Sequence, residues 1–530
     1  MRHPNASRAH RLLKGDLRSV AIRLRSCFGG TSSPQAPLCG FLLVSLFSGA
    51  AAVEAADPSP GRLKKAIEAV VARPGLEAAF WGIEVRSLAS GRTLYALNPA
   101  KAFRPASTLK LVTTAAALDA FGPDERPRTT LQTAGRLDGL GRILGDVFLV
   151  GGGDPNLSAR FSPGRPTAAF EAMAEGLVAA GVRRIEGRLV GHEGAFVGER
   201  RGSSWTWEDL AWGHGAEVSA LSFADNLVEA SLAPGERVAD PALLTLVPDT
   251  GCLSVVSSVT TTDARASVVG QASDETDDAR ELTLLREPGS NEVRITGRLP
   301  IGGKWKSRLA VADPASCAAA VFASVLEARG IRVVAGVATS SAPLPGGARV
   351  LAAYDGVKVA QLIQVVNKES QNLHAEMLLR LLGLKLKGEG SVEQGKAAVA
   401  GTMKRLGVAD AGWALADGSG LARTDLLTPQ GLVALLAAMD RHPHAAVFRD
   451  SLPIAGVDGT LEKRMRGTAA ERRVLAKTGT LQLANALAGY VTTTRGERLA
   501  FALFVNNHAG RGREAVAALD RVAVALAEAR

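Results

Sequence analysis

The chain has 530 residues and a formal net charge of +10, with 46% hydrophobic and 22% charged residues. That composition excludes a disordered chain, and the length exceeds the roughly 250–300 residues at which one hydrophobic core stops growing, so more than one domain is expected. Residues 1–55 hold seven basic and two acidic side chains, half of the charge excess, and the remainder is spread without a basic run or an interleaved aromatic stripe, which argues against nucleic-acid binding.

The basic stretch is followed by the uncharged, apolar run 38–53 and then by small residues. This is the pattern of a secretory signal cut after Ala55, with an uncleaved anchor as the alternative, although the run is short for a membrane span. Cys27 and Cys39 fall inside this leader, so only Cys252 and Cys317 remain. Export permits a disulfide between them; two buried thiols are the other option. The eight histidines are scattered, and no spacing spells a metal site or calls for a cofactor.

Residues 63–71 have helical spacing, and 80–88 and 92–97 read as strands of a hairpin around Ala89-Ser90-Gly91. A helix is predicted from at or just before Ser107 to Phe121, stopped by Gly122-Pro123. From 126 to 345 the texture changes to short alternating runs separated by Gly, Asp and Pro, which predicts strand-rich inserted structure. Helical texture returns over 357–439, two strands follow at 487–494 and 498–506, and 513–529 is a closing amphipathic helix. The Gly151-Gly152-Gly153 cluster matches neither a phosphate loop nor a dinucleotide spacing.

Ser107-Thr108-Leu109-Lys110 sets a hydroxyl and an amine on one helix face a turn apart, and Lys110 is the only lysine with serine three residues before it. Ser370-Gln371-Asn372 presents a second hydroxyl and an amide before the apolar helix 373–382, and Lys477-Thr478-Gly479-Thr480 lies in the strand region preceding 487–494. Each pattern alone is common. In the order Ser-x-x-Lys, Ser-x-Asn, Lys-Thr-Gly they form the signature set of penicillin-binding proteins and serine β-lactamases.

The chain more specifically resembles the class C low-molecular-mass penicillin-binding proteins (peptidase family S13), which are D-alanyl-D-alanine carboxypeptidases and endopeptidases. The likeness extends through Gly151-Gly152-Gly153-Asp154-Pro155-Asn156-Leu157, Asp417-Gly418-Ser419-Gly420-Leu421-Ala422-Arg423, the stretch 452–461 and Asn506. It implies an α/β (α+β) fold: a β-lactamase/transpeptidase-like domain, an antiparallel sheet flanked by helices, built from 56–125 and 346–530, with inserted domains at 126–345. It also implies a periplasmic enzyme that acts on peptidoglycan stem peptides and is acylated by β-lactams.

The chemistry follows from residue types. A serine hydroxyl becomes a useful nucleophile only beside a base, and Lys110 serves only if neutral. Lowering its pKa from about 10.4 to about 7 costs roughly 5 kcal/mol. Burial and a nearby cation, Lys477, are expected to supply that shift. The resemblance implies oxyanion donors at the amides of Ser107 and Thr480. It assigns proton relay to Ser370 and the substrate amide to Asn372, and places Lys477, Thr478, Gly479 and Thr480 at the substrate's terminal carboxylate.

For the peptide's diamino acid the resemblance implies Arg423, with Leu421 and Leu481 as apolar walls, facing Asp209 across the substrate side chain. An exposed loop arginine and a solvated helix-start carboxylate are the plain alternatives for Arg423 and Asp209. Two other functions are compatible with the motifs: a β-lactamase or esterase on the same scaffold, which needs a dedicated deacylating base, and a cell-wall binding protein without catalysis.

Overall fold

The computed structural model describes residues 60–263, 282–408 and 412–529, and the expected signal segment with its cut after Ala55 lies outside them. Five antiparallel strands form the sheet that carries the motifs, in the order Val474–Leu481, Ala484–Thr492, Arg498–Asn506, Phe80–Ser87, Thr93–Leu97. Phe80 pairs with Asn506, so the first and last described strands lie side by side, and the chain between Thr93–Leu97 and Val474–Leu481 is an excursion from this one sheet.

Strand residues alternate between two faces, and both faces here are apolar, which is why the strands are nearly continuous hydrophobic runs. Trp81, Ile83, Val85, Phe501, Leu503 and Val505 meet the helices Pro60–Val71 and Gly512–Ala527. On the other face small residues, Ala486, Ala488, Ala500 and Ala502, let the helices Lys110–Phe121, Val359–Lys368, Asn372–Lys387 and Pro429–Asp440 pack closely. This is the antiparallel sheet flanked by helices that the resemblance implies. The Lys110–Phe121 helix is buried from Lys110 to Leu118, so a lysine at its start is held in the core.

Between these elements lie further sheets. Arg128–Thr133 sits between Val147–Val150 and Arg349–Asp355 in a second five-stranded sheet, and the last of these strands lies beyond residue 345, the expected end of the insertion. Two helices, Ala168–Ala179 and Pro314–Ala328, pack in the same core through Phe170, Leu177, Phe322 and Leu326. Strand-rich texture did not foretell them, because both are apolar nearly all round and show little periodic contrast. A further core gathers Val228, Leu232, Val259, Ile295 and Trp305 from two three-stranded sheets. Cys252 and Cys317 are disulfide-bonded, 5.4 Å apart at Cα, and pack against both inserted cores. Among the described residues no helix is long and apolar enough to cross a membrane.

Candidate active site

Ser107 stands in the 3-10 turn Ala106–Leu109 that runs into the helix Lys110–Phe121, with Ala106 before it at φ 47°. Lys110 Nζ is 2.9 Å from Ser107 Oγ, 2.6 Å from Asn372 Oδ1 and 2.7 Å from the Ser419 carbonyl. The Asn372 amide is oriented by its own Nδ2, which donates to the His214 carbonyl at 2.8 Å. A neutral amine has two N–H donors and one lone pair. With two carbonyl oxygens taking the donors, the lone pair is left for the Ser107 hydroxyl.

Lys110 is completely buried, and burial lowers its pKa to about 7 against the opposing pull of Asp417, Glu376 and Asp425. Carboxyls raise Lys110, while Lys477 is driven well below its ordinary value by burial and then by repulsion from Lys110, a repulsion that each buried cation exerts on the other.

Those carboxyls hold the wall behind Lys110, a role that sequence reading missed. Glu376, one helical turn after Asn372, accepts the N–H groups of Gly418 and Ser419, each at 2.9 Å. Asp417 accepts those of Ser419, Gly420 and Ala422 at 3.0, 2.7 and 2.7 Å and the Trp205 indole at 2.9 Å. The turn is thus wound around one carboxylate, which aims the Ser419 carbonyl at Lys110 Nζ. Burial and then Asp417 push Glu376 up to about 7, and burial and Asp417 push Asp425 up to about 10. The available signal was Glu376 itself, an acid at i+4 from Asn372 in a mostly apolar stretch that also holds His374 and Arg380.

Lys477 lies within the edge strand Val474–Leu481, buried, and donates to Ser370 Oγ at 2.8 Å and to the Thr478 carbonyl at 2.9 Å. Gly479 packs on the Ser107 turn: a Cβ there would stand 2.7 Å from the Pro105 carbonyl and 3.2 Å from Ser107 N. The Thr478 hydroxyl bonds Thr460, and the Thr480 hydroxyl accepts from Asn485 Nδ2 at 3.2 Å. Ala476 N donates to Pro453 O and Ala455 N to Val474 O, so even-numbered residues face the outer edge. By that alternation Thr480 presents its N–H on the open edge.

Arg423 and Asp209 form a two-pronged ion pair at 2.5 and 3.2 Å. Asp209 is buried, and although burial raises its pKa, bonds from His214, Arg423 and Thr206 hold it well below the usual carboxylate range. Arg423 also donates to the Leu421 carbonyl at 3.2 Å, and Leu421 is buried while Leu481 is partly exposed. The structure therefore links Ser107, Lys110 and Asn372 in one hydrogen-bonded set, joins Ser370 to Lys477, and ties Arg423 to the turn that serves Lys110. Among the described residues no group of three His, Cys, Asp or Glu side chains could hold a metal ion.

The model of the D-Ala-D-Ala carboxypeptidase 3 (S13) family matches residues 63–526. The D-alanyl-D-alanine carboxypeptidase of Actinomadura sp. (strain R39) is 36% identical over 489 residues, 89% of this chain and 86% of the relative. The D-alanyl-D-alanine carboxypeptidase DacB of Haemophilus influenzae is 27% identical over 407 residues, covering 76% of this chain and 80% of its own. The crystal structure of penicillin binding protein 4 from H. influenzae superimposes with a TM-score of 0.74 at 24% identity, over 87% of this chain and 98% of that one. A family match over most of the chain and a relative of this identity place the chain in the D-Ala-D-Ala carboxypeptidase 3 (S13) family, as a serine-type carboxypeptidase.

Proposed function

We propose that the enzyme cleaves the terminal D-Ala-D-Ala bond, and cross-links of the same chemistry, in peptidoglycan stem peptides through an acyl-enzyme on Ser107. The observation that carries this reading is the environment of Lys110 Nζ, with both N–H donors committed to carbonyl oxygens and its remaining contact the Ser107 hydroxyl. Lys110 takes the hydroxyl proton as Ser107 Oγ attacks the carbonyl. The oxyanion meets the amides of Ser107 and Thr480, the C–N bond breaks, and Ser370 relays the proton taken up by Lys110 to the departing amine, which returns Lys110 to its neutral form. Water then hydrolyses the ester, with Lys110 again as base.

Asn372 holds the substrate amide, and Lys477, Thr478, Gly479 and Thr480 receive the terminal carboxylate. Asp209 and Arg423, already paired, suit the ammonium and carboxylate of a diamino acid's free end, each substrate charge adding to the opposite member, with Leu421 and Leu481 beside them. A solved structure of the H. influenzae relative is a complex with a β-lactam, which supports β-lactams as covalent inhibitors here. A β-lactamase reading needs a deacylating base, and Glu369, the acid next to Ser370, is engaged by Arg160. The basic, apolar and small-residue leader supports export to the periplasm, with 126–345 as domains inserted into a transpeptidase-like unit of 56–125 and 346–530.

Intact-mass measurement after penicillin treatment tests the reading. One adduct is expected on the wild type and none on Ser107→Ala; an adduct persisting in that variant removes Ser107 as nucleophile.

A further inference from the structure

Ser370 sits at φ 61°, in the left-handed region that a serine rarely occupies, so something outside its own backbone must hold it there. Its neighbours are gripped from the insertion. Arg160, in the 3-10 turn Ala159–Phe161, places one guanidinium nitrogen on Glu369 and another on Asp225. Asp225 accepts from Gln371 Nε2 at 3.2 Å and meets His374 Nε2 at 3.0 Å. The residue before Ser370, the residue after it and the next turn of the helix are thus tied to a single Arg-Asp unit.

Asp225 is itself built to stay put. It is buried in three consecutive residues of positive φ, Ala224, Asp225 and Asn226. That run is fixed by Asn226, whose Nδ2 donates to the Glu217 carbonyl and to Ser222 Oγ, and whose Oδ1 accepts from Phe223 N. A stretch of backbone this strained persists only where its surroundings over-determine it. Here the strain presents one carboxylate to the Ser-x-Asn loop. None of these residues belongs to the three motifs.

We infer that Arg160 and Asp225 are positioning residues for the reaction, a clamp by which the insertion sets Ser370 and Asn372 against Lys477 and Lys110. The insertion is then part of the catalytic apparatus and not only an appendage, since removing the clamp frees Ser370 to relax toward ordinary φ and carries its hydroxyl away from Lys477. The inference rests on the proposed relay role of Ser370 for its readout.

The test compares two substrates with the same acyl group, an acyl-D-Ala-D-Ala peptide and its thioester analogue, whose leaving thiolate needs no proton. Ser370→Ala, Asp225→Asn, Arg160→Gln, Arg160→Lys and Glu369→Gln are assayed in the full chain, with melting temperatures alongside. Glu369 is half-exposed, so its variant can be expected to fold. Asp225→Asn and Arg160→Gln should lower kcat/KM on the peptide about ten- to a hundredfold, the scale of a misplaced catalytic group. Their loss on the thioester should be much smaller, with Arg160→Lys recovering part of the loss and Glu369→Gln showing a weaker form of it. Wild-type rates, or a loss pattern unlike that of Ser370→Ala, would overturn the clamp. If Ser370→Ala itself loses both substrates equally, the relay role of Ser370 fails, and the clamp is then judged by whether its variants lose both in that same proportion.

Discussion

Lys110 and Lys477 are both completely buried, yet carboxyls stand behind only one of them. Burial brings Lys110 to about 7, with Asp417, Glu376 and Asp425 keeping it from falling further, while Lys477 has no such support and is depressed by Lys110 as well. Lys110 in its proposed role works in the neutral form, so the second-order acylation rate by penicillin should rise with pH with a midpoint near 7. Glu376→Gln removes a charge that favours the ammonium form, and the acidic limb should move to lower pH. A pH profile of acylation checks both; an unmoved limb would mean that Glu376 does not act on Lys110.

Asp425 supplies a stability prediction. Burial and Asp417 raise its pKa from an ordinary 3.8 to about 10, so the folded protein holds a proton that the unfolded chain releases. That contribution is fully present below 3.8 and is lost as pH rises toward 10. Asp425→Asn keeps an acceptor for the Ala416 amide, bonded at 2.7 Å, and does not ionise. Melting curves should show the wild type losing ground steadily to this variant as pH rises through that window.

Gly479 is a test of the oxyanion edge. A methyl group there meets the Pro105 carbonyl at 2.7 Å and Ser107 N at 3.2 Å, both backbone atoms that cannot swing aside. Gly479→Ala should therefore separate the edge strand from the nucleophile turn and reduce acylation about a hundredfold or more, the scale of losing one oxyanion donor. Stopped-flow acylation with penicillin reads this directly. A rate within a few-fold of wild type would mean that the close approach has no part in catalysis.

Arg423→Ala separates substrate recognition from the core chemistry. A charge-assisted bidentate bond is worth about 1.5–3 kcal/mol, so kcat/KM on a stem peptide with a diaminopimelate side chain should fall roughly ten- to a hundredfold. Acylation by a simple penicillin, which lacks that side chain, should be nearly unchanged. Equal losses on both substrates would assign Arg423 to holding the Asp417–Ala422 turn through its bond to Leu421.

The sheet and its flanking helices were legible because a partly alternating stretch survives at 80–87, a short apolar run bounded by polar residues at 498–506, and a 3.6-residue pattern in the closing helix. The helices Ala168–Ala179 and Pro314–Ala328 were not, because apolar residues also stand on their exposed faces, at Ala172, Val178, Ala179, Ala320 and Ala328, which flattens the contrast that periodicity needs. In the site, Ser107, Lys110, Ser370, Asn372 and Lys477 were legible as motifs of fixed local spacing. The Ser419 carbonyl was not, since a backbone acceptor carries no residue signature. Arg160 and Asp225 were not either, since they act on a loop 209 and 146 residues away in sequence, a proximity that only the folded chain creates.

The Lys-Thr-Gly strand lies at the border of its sheet, and an unpaired strand border is a template on which another extended chain can add. Proteins usually suppress that hazard by charge, proline or a bulge on the border, but here such a remedy would also repel the extended peptide proposed to end on it. The hydrogen bonds from Ala476 to Pro453 and from Ala455 to Val474 offer another solution. The first half of the strand is sealed by the chain's own segment, and only the short remainder from Thr478 to Leu481 stays open. An opening of four residues is long enough to dock the end of a peptide and too short to nucleate self-association, so the same seal that protects solubility also limits how much of a substrate can pair with the enzyme.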